Sequence, residues 1–184
     1  VDTNLSIDLG QITLHFIIAP MVHWPETMMT YAPEQKTLFS GDLYATEISH
    51  EKLYADEMQE FSGLTRDYFA IVMRPFHQQV KKAIDKTREL ELDILCPSHG
   101  PCYRKNFPII DYYEKLATNP EENKALIVYY SIWHAGEQIA NEIKAELEDN
   151  GIQANAYDLS KSNMIELMAQ AMTSRIVIVG SLTI

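Results

Sequence analysis

Three residues with metal-binding side chains each follow a predicted strand in the first half of this 184-residue chain. His23 lies in a loop after an apolar segment, Asp42 comes directly after Ser40-Gly41, and His99 lies in Pro97-Ser98-His99-Gly100-Pro101. Catalytic groups often lie in such loops, which a rigid scaffold positions. Imidazole nitrogens suit iron or zinc, and a carboxylate can bridge two ions through its two oxygens. If the fold brings them together, these residue types predict a metal centre.

The two cysteines, Cys96 and Cys102, flank His99 and leave two interpretations open. A metal clip or a redox pair would explain their spacing. Free cysteine is often simply packed, however, and intracellular thiols are usually kept reduced. We therefore expect two free thiols in a reducing compartment.

Charge and composition exclude several classes of function. The chain has 26 acidic and 15 basic residues and a net charge of -11, whereas nucleic-acid binding needs clustered Lys and Arg. No apolar run reaches the roughly 20 residues of a membrane helix, and no secretory signal is visible after Val1. We therefore expect a cytoplasmic globular protein with no nucleic-acid or membrane partner.

Two halves are predicted, residues 1–118 and 119–184, with a polar, Pro-containing join between them. In the first half, residues 5–18 predict a β-hairpin whose second strand is largely buried. Two further strands are predicted at residues 36–40 and 92–96. Helices are predicted at residues 47–60, 64–90 and 107–116, and the second of these must break before Pro75.

The second half alternates strands and helices. Strands are predicted at residues 125–130, 153–159 and 175–179, and helices at residues 137–149 and 163–172. The strands are apolar enough to be buried on both faces, which is typical of a parallel, doubly wound sheet in an α/β fold.

Several motifs resemble flavodiiron proteins, and the likeness covers essentially all of the chain. They are Pro20-Met21-Val22-His23-Trp24-Pro25-Glu26-Thr27-Met28, Leu38-Phe39-Ser40-Gly41-Asp42, Pro97-Ser98-His99-Gly100-Pro101, Met73-Arg74-Pro75-Phe76 and Ile110-Asp111-Tyr112-Tyr113. In that family a metallo-β-lactamase-like domain holds two irons, and a flavodoxin-like FMN domain follows. The resemblance implies that residues 1–118 are the C-terminal part of a metallo-β-lactamase-like αββα sandwich. Residues 119–184 would then be the first half of a flavodoxin-like doubly wound parallel sheet.

The resemblance also implies a reaction and a set of iron ligands. Flavodiiron proteins reduce dioxygen to water or nitric oxide to nitrous oxide at a non-haem diiron site with electrons from FMN. By this analogy His23 ligates one iron, Asp42 bridges both irons, and His99 ligates the other. Tyr68 and Trp24 are candidates to line the pocket for the diatomic gas, with packing as the alternative role for each. The implied partners are rubredoxin or a similar small electron donor, and a second copy of the chain paired head to tail.

FMN would be bound by two loops of the second half. The first candidate loop is Ser131-Ile132-Trp133-His134-Ala135-Gly136, and the second contains Ser181, Leu182 and Thr183. The family usually carries Asn and Thr where Ala135 and Gly136 stand here, and each lost bond to a charged acceptor weakens affinity by about 1.5–3 kcal/mol. His134, if protonated, could pair with the phosphate. An ordinary strand-to-helix turn is the alternative interpretation of the second loop.

One departure from the family concerns the remaining iron ligands. The family supplies them from a His-x-Glu-x-Asp motif, which these 184 residues do not contain. We therefore expect a portion of a longer protein, beginning midway through the metal domain, ending before the flavodoxin half is complete, and inactive by itself. Two alternatives stay open, a zinc-dependent hydrolase of the metallo-β-lactamase superfamily and a non-catalytic remnant without a complete site.

Overall fold

The computed structural model describes residues 5–118 and 122–181, which form two compact units divided between Thr118 and Asn119. Both units combine sheets with helices, so the α/β class predicted from the sequence is confirmed. Among the described residues, no helix has the length and apolar character required to cross a membrane.

The first unit is built on a six-stranded sheet whose strands lie in chain order. They are β1 (Ser6–Asp8), β2 (Thr13–Ile18), β3 (Met28–Ala32), β4 (Thr37–Gly41), β5 (Ile94–Pro97) and β6 (Tyr103–Arg104). Neighbouring strands are antiparallel except β4 and β5, which are parallel. Since a parallel pair needs a long crossover, the helical residues between β4 and β5 supply it. In this topology β2, β4 and β5 run in the same direction and end at the same edge of the sheet.

The predicted hairpin is confirmed, because β1 and β2 pair with Ile7 opposite Leu14. The expectation that its second strand is largely buried is wrong. No residue of β2 is fully buried, and His15 is exposed. The sequence analysis also did not predict β3, which buries Met29 and Ala32 and lies between β2 and β4.

The crossover between β4 and β5 is helical but interrupted. It contains α1 (Ser62–Tyr68), a π-helical turn (Phe69–Met73), a 3₁₀ turn (Arg74–Phe76) and α2 (His77–Arg88), and α3 (Pro108–Thr118) follows β6. The predicted break at Pro75 is confirmed, since a proline nitrogen cannot donate the helical hydrogen bond. The interruption thus divides one predicted helix into two.

The helix predicted over residues 47–60 is wrong, because only the single 3₁₀ turn Ala55–Glu57 forms there. The backbone of this segment instead bonds to the residue that precedes β6. The Cys102 N–H donates to the Leu53 carbonyl, and the Ala55 N–H donates to the Cys102 carbonyl, both at 2.9 Å. This tertiary pairing outweighs the local helical preference, which is only a weak constraint.

An aromatic core fixes the chain that follows β4. Tyr113 of α3 packs edge-on against Tyr44 and Phe69, with ring centroids 5.3 and 5.4 Å apart, and all three side chains are buried. The Tyr113 hydroxyl donates a hydrogen bond to the Ala45 carbonyl. Because buried aromatic pairs have preferred geometry as well as large apolar area, these contacts hold the backbone beside Asp42 in place.

The second unit contains a three-stranded parallel sheet with the strand order β8-β7-β9. Its elements are β7 (Glu122–Tyr129), α4 (Ala135–Asp149), β8 (Gln153–Asp158), α5 (Met164–Thr173) and β9 (Ser174–Gly180). The predicted alternation and the parallel sheet are confirmed. Burial on both faces is confirmed for Ala125–Ile127 at the centre of β7, but it is wrong for β9, where Val177 and Val179 are 49% and 74% exposed.

Candidate metal centre

The His23, Asp42 and His99 side chains are brought together at one edge of the six-stranded sheet. Each follows a strand that ends at this edge: His23 comes after β2, Asp42 directly after β4, and His99 just after β5. Parallel β4 and β5 set Phe39 opposite Cys96 and Gly41 opposite Pro97, so the residues that leave both strands emerge side by side. The shared direction of the three strands therefore explains the cluster.

The Asp42 carboxylate lies between the two imidazoles. Its Oδ2 is 3.2 Å from Nε2 of His23, and its Oδ1 is 3.6 Å from Nε2 of His99. The Asp42 and His23 side chains are about one quarter exposed, whereas that of His99 is 58% exposed. A carboxylate that turns one oxygen toward each of two imidazoles has the donor arrangement of a bridging ligand.

Ser98 is a site residue that the sequence analysis did not single out. Its hydroxyl donates a 2.5 Å hydrogen bond to Oδ1 of Asp42, the oxygen that faces His99. Such a contact to a metal-ligating carboxylate fixes its orientation and tunes its donor strength. The sequence feature that points to Ser98 is its position directly before His99, in the loop that follows β5.

Backbone hydrogen bonds hold the loop that carries His99. The Ser98 N–H donates to the Gly41 carbonyl at 2.8 Å, and the Thr46 N–H donates to the His99 carbonyl at 3.2 Å. Gly100 adopts φ +87°, and a Cβ there would lie 2.7 Å from the Thr46 carbonyl oxygen. Only glycine fits both this conformation and this close approach. The position of His99 is therefore set by main-chain contacts on both sides.

The loop that carries His23 is also closed by local hydrogen bonds. The Met21 N–H donates to the Trp24 carbonyl at 2.7 Å, and the Trp24 N–H donates to the Thr27 hydroxyl at 3.2 Å. The Trp24 ring lies 5.5 Å from the His23 ring, centroid to centroid. At 59% exposed, Trp24 flanks the cluster on its solvent side.

Tyr68 is buried, at 6% exposed. Burial raises the pKa of its hydroxyl well above the usual value, and the negative charges of Asp42 and Glu47 raise it further. The Tyr68 hydroxyl is therefore a neutral hydrogen-bond donor at physiological pH, within electrostatic reach of the carboxylate.

The donor set fits part of a metal site but does not complete one. Across residues 5–118 and 122–181, no group of three or more His, Cys, Asp and Glu side chains is arranged to hold an ion unaided. Two imidazole nitrogens and one carboxylate are nevertheless donors that non-haem iron and zinc accept. The cluster therefore requires further donors before it can hold two ions.

The first candidate flavin loop leads into α4. Ser131 Oγ accepts a 3.1 Å hydrogen bond from the Gly136 N–H, and His134 adopts φ +62° directly before the helix. His134 Nδ1 lies 2.8 Å from a carboxylate oxygen of Glu137, while Ile132 and Trp133 are exposed at 53% and 82%. In the second candidate loop Ser181 is described and exposed, and Leu182 and Thr183 lie outside the described residues.

The first unit thus combines a metallo-β-lactamase-like α/β fold with a His–Asp–His cluster at one sheet edge. Its sequence matches the family described as ODP family beta lactamase over residues 1–100. The chain belongs to this family.

Comparison with individual proteins confirms the resemblance to flavodiiron proteins. The chain is 33% identical to a nitric oxide reductase of Moorella thermoacetica, over all of this chain and 47% of the relative. A solved rubredoxin oxygen:oxidoreductase from Desulfovibrio gigas superposes with a TM-score of 0.87 at 26% identity, over all of this chain and 48% of that one. The flavodiiron protein from Giardia intestinalis gives 0.84 at 25% identity, over all of this chain and 46% of that one. The chain spans about half the length of the curated relatives it matches.

Proposed function

We propose that the protein reduces dioxygen to water or nitric oxide to nitrous oxide at a non-haem diiron centre, with electrons from FMN. The observation that carries this proposal is the Asp42 carboxylate, which turns one oxygen to His23 and the other to His99. The relatives' names add support, since they include a nitric oxide reductase and a rubredoxin-oxygen oxidoreductase.

In this proposal the cluster supplies three of the iron ligands. His23 would bind one iron, Asp42 would bridge the two, and His99 would bind the other. The irons, when bound, supply electrons and open coordination positions for the gas. Ser98 holds Oδ1 of Asp42 in its bridging orientation through its hydrogen bond. Trp24 and Tyr68 line the gas site, the first from the solvent side and the second as a buried, neutral hydroxyl.

The second unit is proposed as the beginning of a flavodoxin-like FMN domain. Its strand order places the first strand between the second and third, as in doubly wound flavodoxin-like sheets. In such sheets ligands bind at the carboxyl ends of the strands, and phosphate binds at a helix N-terminus. The residues proposed to contact FMN are Ser131, Ile132, Trp133, His134, Ala135, Gly136, Ser181, Leu182 and Thr183, of which the last two lie outside the described residues.

The proposal includes partners and a location. Electrons would arrive from rubredoxin or a similar small redox protein, as the name of one relative indicates for that relative. Two copies would pair head to tail, so that the FMN of one subunit faces the irons of the other. The reducing conditions of the cytoplasm suit the two free cysteines. A protein that is monomeric in light scattering and yet fully active would contradict the pairing.

A zinc-dependent hydrolase is the second candidate, favoured by the family description as a beta lactamase. Zinc accepts the same nitrogen and carboxylate donors and activates a bound water.

Metal and flavin analysis of the anaerobically purified protein distinguishes the candidates. Close to two irons per chain with FMN, and consumption of dioxygen or nitric oxide driven by reduced rubredoxin, supports the oxidoreductase. Zinc without flavin supports the hydrolase, and neither metal nor flavin supports a non-catalytic remnant.

A further inference from the structure

Cys96 and Cys102 stand opposite each other at the two ends of the loop that carries His99. Strands β5 and β6 are antiparallel, with Ile94 opposite Arg104 and Leu95 opposite Tyr103. Continuing this register by one residue sets Cys96 against Cys102. Both are free thiols, and both are half-buried.

The backbone of Cys102 identifies the kind of cross-strand pair. Its N–H donates to Leu53 and its carbonyl accepts from Ala55, so both groups point away from β5. An opposed pair whose backbone groups point outward is a non-hydrogen-bonded pair, in which the Cα atoms are about 4.5 Å apart and the side chains are closest. Disulfides span Cα separations of roughly 4.4–6.8 Å. A Cys96–Cys102 bridge therefore fits at the narrow end of this range.

The Cys102 side chain lies close enough to affect the Cys96 thiol. Burial, and secondly the Cys102 side chain, raise the pKa of Cys96 to about 12. A thiol must ionise before it attacks a disulfide. Cys96 is therefore a poor initial nucleophile, so the exchange is written with Cys102 attacking first.

We propose that Cys96 and Cys102 form a reversible intrachain disulfide that closes the loop carrying Ser98 and His99, with a small-molecule disulfide as the oxidant. Disulfides of intracellular proteins are typically transient or redox-sensing rather than structural. This inference rests on the strand register, the backbone hydrogen bonds of Cys102 and the two free thiols, and it does not depend on the proposed reaction.

The exchange balances in two steps. The Cys102 thiolate attacks one sulfur of the oxidant R–S–S–R, so that a mixed disulfide forms and one R–S⁻ leaves. Cys96 then loses its proton and displaces the second R–S⁻ from Cys102. The two released thiolates take up the two protons that the cysteines gave to solvent. One S–S bond breaks and one forms; the protein is oxidised by two electrons and R–S–S–R is reduced to two R–SH.

Closure would tighten a loop that is already held in position. The Ser98 N–H is bonded to Gly41, and the His99 carbonyl is bonded to Thr46, so the bridge adds a covalent tie without requiring a new path for the chain. The expected consequence is a loss of local opening around His99, since exchange of loop amides reports such opening.

The test equilibrates the purified protein in glutathione buffers of graded redox ratio, approached from both the reduced and the oxidised side. Free thiols should fall from two per chain to none, and peptide mapping should find Cys96 joined to Cys102. Hydrogen exchange at the Ser98, His99 and Gly100 amides should slow on oxidation. Circular dichroism checks that both forms keep the native fold.

Two matched variants, Cys96→Ser and Cys102→Ser, serve as controls. Each should keep one thiol, which oxidised glutathione converts only to a mixed disulfide. The inference is overturned if the wild-type protein keeps both thiols in the most oxidising buffer. It is equally overturned if only mixed or interchain disulfides form, or if the loop amides exchange at the same rate in both forms.

Discussion

Ser98 and Asp42 are joined by a hydroxyl–carboxylate hydrogen bond of 2.5 Å, although 56 residues separate them in the chain. Asp42 directly follows β4, and Ser98 directly follows β5. Because these two strands are adjacent and parallel, the bond joins the two chain segments where they leave the sheet. It fixes the carboxylate oxygen that faces His99, and with it the orientation of the proposed bridging ligand.

Ser98→Ala should therefore weaken metal binding without unfolding the protein. Loss of an outer contact to a ligating group typically lowers metal affinity by about 10–100-fold. Iron retention in competition with a chelator measures the effect, and Ser49→Ala is a control at an exposed serine. Equal iron retention in Ser98→Ala and wild type would show that the hydroxyl does not orient the carboxylate.

Asp42→Asn removes the charge and one of the two equivalent oxygens of the proposed bridge. We expect the iron content to fall well below two per chain, since the amide presents only one oxygen acceptor. The exposed carboxylate of Asp93 provides a matched control in Asp93→Asn. If Asp42→Asn bound two irons as firmly as wild type, the bridging role of Asp42 would be refuted.

The grouping of His23, Asp42 and His99 was predictable from the sequence because it depends on topology, while their role as metal ligands stays a prediction. His23, Asp42 and His99 each follow a strand, and strands that run in one direction end at one edge. The role of Ser98 was not predictable in this way, because a hydroxyl contact depends on the side-chain direction within a loop. Sequence spacing places Ser98 near Asp42 but does not specify that Oδ1 is its acceptor.

The errors in the fold have tertiary causes. Residues 47–60 have helical composition, but the backbone of Leu53 and Ala55 bonds to Cys102, a partner about 50 residues away. Val177 and Val179 are as apolar as a buried strand, yet both are exposed in the described part of the chain. Local pattern cannot report which neighbours cover a face or pair with an edge.

Gly100→Ala should destabilise the first unit. Its φ of +87° is unfavourable for a side chain, by about 1–2 kcal/mol in the left-handed region. The new Cβ would also lie 2.7 Å from the Thr46 carbonyl oxygen. Gly63→Ala is the matched control, because nothing lies within 4 Å of a Cβ there and the residue is helical.

Urea unfolding followed by circular dichroism measures both variants. The transition midpoint should fall for Gly100→Ala and stay level or rise for Gly63→Ala, since alanine is favoured over glycine in a helix by about 0.5–1 kcal/mol. An unchanged midpoint for Gly100→Ala would mean that the Thr46 segment can move away at little cost.

The buried tyrosines should make the protein sensitive to alkali. Burial raises the pKa of Tyr113 well above its usual value. The unfolded chain loses the tyrosine proton near pH 10 while the folded chain keeps it, so the unfolded state binds fewer protons. Stability is therefore retained below about pH 10 and falls as pH rises above it, by roughly 1.4 kcal/mol per pH unit for each such tyrosine.

Tyr113→Phe separates this effect from packing. At pH 7 the variant should be less stable by about 0.5–1.5 kcal/mol, since the bond to the Ala45 carbonyl is lost. Above pH 10 its unfolding free energy should fall less steeply with pH than that of wild type. The difference in slope is that of one proton, roughly 1.4 kcal/mol per pH unit. Tyr130→Phe, at a tyrosine 43% exposed, is the matched control for removal of a phenolic hydroxyl. Equal slopes for Tyr113→Phe and wild type would contradict the conclusion that the raised pKa of Tyr113 causes the sensitivity to alkali.

The carboxylate of Glu137 should weaken FMN binding at the proposed site beside the α4 N-terminus. It lies 2.8 Å from His134 Nδ1 and so competes with a phosphate for that imidazole. In Glu137→Gln this negative charge is removed, and we expect tighter FMN binding by about 0.3–1 kcal/mol at low salt. The gain should shrink as ionic strength rises, because exposed charges are screened.

The control variant Glu142→Gln, at an exposed position further along the helix, should change FMN affinity little. Fluorescence titration of the flavin-depleted protein measures all three forms. If Glu137→Gln bound FMN more weakly than wild type, the carboxylate would be holding His134 in place for the phosphate rather than competing with it.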